Sequence, residues 1–158
     1  QMPFDSTPHV DGQWGDPDEA FVGSVDGIMP IDGYGIHWRP VAAVARHWRK
    51  AEVLEGASPQ VLAQHIQAGR PVIVWGHSGL GGTQLWHTPK GKTVHALKGE
   101  HTRVVCGLRG PPSAPEGFYL MDPNCGLVYW PVRLLMSNWE PSGRAGVVIF
   151  AEPPPNLP

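Results

Sequence analysis

The sequence predicts an α+β domain, with helices first and a mostly antiparallel sheet after them. Three observations carry that expectation. Apolar residues recur with helical spacing before position 70, a continuous β-branched run lies at 71–75, and short strand candidates follow position 100. With Gly 20 and Pro 18 among 158 residues, the elements are expected to be short and joined by many turns. A chain of this length forms one domain and buries roughly two thirds of its unfolded surface.

Residues 1–38 read as a turn-rich arm, punctuated by Asp11-Gly12, Asp26-Gly27 and Asp32-Gly33. Trp14, Phe21, Val22 and Val25 lie among these turns, so the arm is expected to pack on the domain. The core is assigned to 39–152 and a proline-rich tail to 153–158. The first helix opens at Pro40 and places Val41, Val44, Ala45 and Trp48 on one face. Arg46, Arg49 and Lys50 take the other side. A second helix starts at Ser58-Pro59, buries Leu62 and Ile66, and stops at Gly69.

Pro71-Val72-Ile73-Val74-Trp75 reads as a strand buried on both faces. A glycine-rich loop is expected over 76–99. Strands are expected at 102–107, 117–121, 127–129 and 146–150, with a short helix over 130–139 burying Val132, Leu135, Met136 and Trp139. Pro153-Pro154-Pro155 reads as extended chain.

A net charge of −2, with no lysine or arginine cluster, argues against a nucleic-acid or membrane-surface partner. No apolar run approaches the roughly 20 residues that cross a bilayer. The chain starts Gln1-Met2, which reads as a trimmed or processed piece of something longer. Cys106 and Cys125 are too few for a disulfide framework, although a bridge between them stays open.

The run from Val72 to Ser78 resembles a strand leading into a serine-esterase nucleophile elbow, with Gly76 and Ser78 in place. Leu80 stands where that motif needs glycine, and Gly81, Gly82 and Pro89 do not support the helix that must follow. His77, His87 and His95 invite a metal reading, but no histidine pair shows zinc-ligand spacing on an expected element, so neither metal nor cofactor is expected. A stronger pair is His101 and Asp122. They stand at the start of one expected strand and the end of the next, where they can face each other across an antiparallel pair. One imidazole nitrogen would be held by the carboxylate and the other left for a nucleophile. A buried histidine paired merely for satisfaction has the same signature.

Several ordered blocks add to this pair. They are Phe21-Val22-Gly23, Gly33-Tyr34-Gly35, the stretch from Pro40, Gly69 to Trp75, Glu100-His101 with its strand, and Tyr119 to Pro123. Together they resemble the bacteriocin-processing, double-glycine-leader type of cysteine peptidase, in its stand-alone bacterial branch. The resemblance implies a papain-like fold, a peptide substrate, His101 as general base, Asp122 as its orienter, a closing strand near 143–148, and a secreted or cell-envelope location.

That family carries its nucleophile on an N-terminal helix, and no cysteine precedes His101 here. Cys106 is five positions along the strand from His101 and faces the other side if the strand is regular. Cys125 sits in a turn with no helix to activate it. Residues 1–158 are therefore expected to be inert alone. The alternative is a non-catalytic peptide- or glycan-binding relative using Trp75, Trp86 and Trp130 as stacking surfaces, with core packing the plainer role for Trp75. Without an N-terminal helix, one sheet face is expected to be bare, exposing Val72 and Val74 unless residues 1–38, a partner segment or self-association covers it.

Overall fold

The computed structural model describes residues 1–28, 31–79 and 81–153. The proline-rich tail lies outside them from position 154 onward. In chain order the elements are β1 (Phe4–Asp5), β2 (Phe21–Gly23), β3 (Gly33–Gly35), α1 (Trp38–Ala45), β4 (Ala51–Leu54), α2 (Pro59–Gln67), β5 (Val72–His77), β6 (Thr83–His87), β7 (Thr93–Leu97), β8 (Glu100–Arg109), β9 (Gly117–Asp122), β10 (Gly126–Pro131), α3 (Val132–Trp139), the 3₁₀ turn Glu140–Ser142 and β11 (Gly146–Ile149).

The centre is a six-stranded sheet in the order β10-β9-β8-β5-β11-β4, antiparallel at every pairing. Side chains alternate across it, and each face carries its own core. On one face Val72 and Val74 of β5, Val105 of β8, Phe118 and Leu120 of β9 and Val148 of β11 pack under α2 and α3 through Leu62, Ala63, Leu135 and Trp139. On the other face Trp75 and Val147 meet Ala42 of α1 and Ala51 of β4, with Ile73 half-buried beside them.

Val72 and Val74, expected to be bare, are thus covered: α2 and α3 lie over them, and Val72 is fully buried. The uncovered area is instead on the α1 side and further along the sheet. There Ile73, Thr102, Val104, Met121 and Pro123 line an open depression of about 410 Å³, and Met121 is 48% exposed.

α2 starts as its sequence dictates. Ser58 accepts a hydrogen bond from the Val61 backbone N–H at 3.3 Å, Pro59 follows, and Gly69 ends the turn at a left-handed φ of 71°. α1 begins earlier than expected, at Trp38, and closes at Ala45. Trp48 falls beyond it and is exposed, so the apolar face of α1 is shorter than the spacing implied. Trp130 and Pro131 belong to β10, and α3 begins only at Val132.

The expected loop over 76–99 contains a hairpin. β6 and β7 pair antiparallel from Thr83↔Leu97 to His87↔Thr93. Trp86, Val94 and Ala96 point inward to Trp14, Val22 and Tyr34 of the arm. The glycines at 79, 81 and 82 hide this period-2 pattern, because they crowd the segment just before the strand begins. The arm itself forms a small sheet, β1-β2-β3. Trp14 meets Trp86 at 5.4 Å, and the Trp86 indole N–H donates to the Gly15 carbonyl at 2.8 Å. Lys92 adds ion pairs to Asp16 at 2.8 Å and Asp18 at 2.7 Å.

Candidate functional site

Register places the candidate pair. Val104 lies opposite Met121 and Val105 opposite Leu120 before a bulge shifts the pairing at Cys106. His101, Arg103 and Val105 therefore alternate onto the α2/α3 face of β8, and Leu120 and Asp122 onto the same face of β9. His101 Nε2 lies 3.1 Å from both Asp122 Oδ1 and Oδ2. The His101 side chain is 13% exposed and that of Asp122 6%.

Two further groups lock the carboxylate. The Asn124 backbone N–H donates to Oδ1 at 2.8 Å, an Asx turn that closes β9. Arg103 Nε donates to Oδ2 at 2.6 Å. The guanidinium stacks on the Trp130 ring at 4.5 Å and also reaches Asn138 Oδ1 at 3.3 Å. Asn138, from α3, returns to the strand before the site: its Nδ2 donates to the His77 carbonyl at 2.9 Å and its Oδ1 accepts from the His77 N–H at 3.3 Å. Gly76 permits this approach, because a Cβ there would collide with the Asn138 amide.

Burial pushes the Asp122 carboxyl up, but the Asn124 N–H, His101 and Arg103 outweigh it and hold the group at about 2. Asp122 is therefore an anion at neutral pH. It fixes the imidazole through Nε2, and among the described residues no hydrogen bond reaches His101 Nδ1. An imidazole anchored this way can take a proton at Nδ1 and return it there, with the carboxylate stabilising the cation in between.

The pair read from the sequence is thus brought together, while Arg103, Trp130 and Asn138 were missed. Arg103 had a signal: a charge on the inward register of a buried strand needs a partner. The remaining candidates fall elsewhere. Ser78 donates to the Gly99 carbonyl at 3.2 Å, and β5 leads into a turn and the β6–β7 hairpin, not a helix. That overturns the serine-esterase elbow. Among the described residues, no group of three or more His, Cys, Asp or Glu side chains is placed to hold a metal ion. Trp75 and Trp86 are core residues, 1% and 2% exposed, and cannot serve as stacking surfaces. Trp130 is half-buried beneath Arg103. Cys106 occupies the bulge and Cys125 the β9–β10 turn; both are exposed free thiols, so the bridge left open by the sequence is not formed.

Comparison with known proteins agrees with this architecture. No curated protein matches the chain significantly. Among solved structures, the chain resembles a crystal structure described as a C39-like peptidase from Bacillus anthracis. The TM-score is 0.73 at 24% sequence identity, covering 91% of this chain and 73% of that one. That likeness supports the α+β, papain-like fold. The sequence profile of the Peptidase_C39 like family matches residues 5–147, nearly the whole chain, and the chain belongs to that family.

Proposed function

We propose that the chain carries the proton-transfer half of a thiol peptidase, with His101 as base and acid and Asp122 as its orienter. The observation behind this reading is the imidazole whose Nε2 is held by an ionised carboxylate while Nδ1 is left without a partner. In the reaction, Nδ1 accepts the proton of a cysteine thiol and the thiolate attacks a peptide carbonyl. His101 then gives that proton to the leaving amine as the C–N bond breaks, leaving an acyl-thioester. Water attacks the thioester with its proton taken at Nδ1, which releases the acid and restores the thiol. The attacking thiol is neither Cys106 nor Cys125. Cys106 occupies the bulge with its Sγ turned toward the Tyr119 carbonyl at 3.6 Å, and Cys125 stands in a turn outside any helix terminus. A further element bearing the thiol would have to bring it to His101 Nδ1, which lies on the α2/α3 face of β8.

Peptide hydrolysis by the protein with every residue its gene encodes tests the proposal. His101→Ala is expected to lower kcat/KM by about 10²–10⁴-fold, Asp122→Asn to lower it less, and Cys106→Ser and Cys125→Ser to leave it unchanged. Full turnover in His101→Ala would refute the base assignment. Peptide binding without turnover in the unaltered protein would favour a non-catalytic binding domain. The sequence resemblance implies a double-glycine leader as substrate, and replacing that glycine pair by alanine in a test peptide should slow cleavage.

A further inference from the structure

A second cluster of ionisable groups lies on the α1 face of the sheet, away from the His101–Asp122 pair. Glu100 precedes His101 on β8, so its side chain projects to the opposite side. It is 7% exposed, and its Oε2 accepts from the Tyr34 hydroxyl at 2.5 Å. His37 Nε2 lies 3.6 Å from the same oxygen, and His37 Nδ1 meets Asp18 Oδ1 at 2.7 Å. Among the described residues no hydrogen bond reaches Glu100 Oε1. Oε1 is not sealed in the interior, and so it is open to a donor that enters beside it.

A cavity of about 310 Å³ adjoins it, and Glu100, Tyr34 and His37 form its polar wall. The rest of the lining is chiefly apolar, with Trp38, Leu97 and Pro141 prominent. The other titratable group on the wall is His95 of β7. Behind the wall, Asp18 faces His37, and Lys92 of the hairpin is taken by Asp16 and Asp18. Among the described residues no lysine or arginine lines the cavity. An acidic group on the wall of an apolar slot, with the His37 imidazole beside one oxygen and no lysine or arginine next to it, matches a ligand with an apolar stem and a positive, hydrogen-donating head.

We infer that this cavity is a binding site for an alkylammonium group, its methylenes against Trp38, Leu97 and Pro141 and its N–H donors on Glu100. A lysine side chain of a peptide and a free primary amine share that chemistry. The site stands on its own residues and does not depend on His101 acting as a base. Burial holds the free Glu100 carboxyl up at about 7, against the opposing pull of His37 and Tyr34. The bound cation requires the anion, so binding releases a proton below that pH.

The test is calorimetric titration of the protein with n-butylammonium, with Nα-acetyl-lysine methylamide and with the uncharged n-butanol, at pH 6 and pH 8. Both amines should bind more tightly than the alcohol, with affinity rising about tenfold between the two pH values as Glu100 ionises. Stronger binding of the lysine derivative would assign the site to a peptide, and stronger binding of butylammonium to a free amine. Glu100→Gln keeps the shape and the Tyr34 contact, and should weaken the amines and remove their pH dependence. Because Glu100→Gln leaves His101 and Asp122 in place, its peptidase activity on a lysine-free substrate should be unchanged. Equal binding of alcohol and amines, or amine affinity unchanged in Glu100→Gln, would overturn the inference.

Discussion

Asp122 satisfies three neighbours at once, and its ionisation is the residue-scale quantity the site depends on. Its folded pKa, about 2, lies below the ordinary 3.8. The stability it contributes is therefore complete above about pH 4 and is lost as pH falls through 2. Asp122→Asn should destabilise by about 3 kcal/mol at pH 7, because it strands the buried Arg103 guanidinium. Denaturant midpoints should show that gap constant down to about pH 4 and narrowing below it. A gap independent of pH would mean the carboxylate is not what Arg103 requires. The same geometry fixes a tautomer. Neutral His101 should carry its proton on Nε2, toward Asp122, and imidazole ¹⁵N shifts report this directly; a proton on Nδ1 would contradict it.

At the scale of elements, the site depends on α3 lying close to the end of β5. Gly76→Ala would drive a methyl into Asn138. The expected loss is about 1–3 kcal/mol in denaturant unfolding, together with loosening of the Arg103 contacts. Much of this layer was legible beforehand. The β-branched run of β5, the Ser58-Pro59 start of α2 and the paired strands β8 and β9 all follow from local pattern, and with them the meeting of His101 and Asp122. Where local pattern is weak, the reading failed. β4 is only four residues long and is held as an edge strand by pairing with β11. β6 was obscured by the glycines before it. The Tyr34–Glu100 contact joins positions 66 residues apart, a separation no periodicity reports.

On the scale of the whole molecule, the packing divides in two. One part holds the cores on both faces of the six-stranded sheet, and the other joins the arm to the β6–β7 hairpin around Trp14, Tyr34 and Trp86. We propose that residues 1–38 behave as an arm distinct from the core over 39–152. Trp14→Ala should then cost about 3–5 kcal/mol and speed hydrogen exchange in the arm and hairpin together, while the central sheet stays protected; uniform loss of protection would contradict two separable parts. The central claim, that the His101–Asp122 pair activates a thiol, is tested most directly by iodoacetamide alkylation between pH 5 and 8. The measurement uses the protein with every residue its gene encodes. An imidazole-paired thiolate should react at pH 5–6, where an ordinary thiol with a pKa of about 8.5 is almost silent, and His101→Ala should abolish that low-pH reactivity. Low-pH alkylation that persists unchanged in His101→Ala would contradict the account.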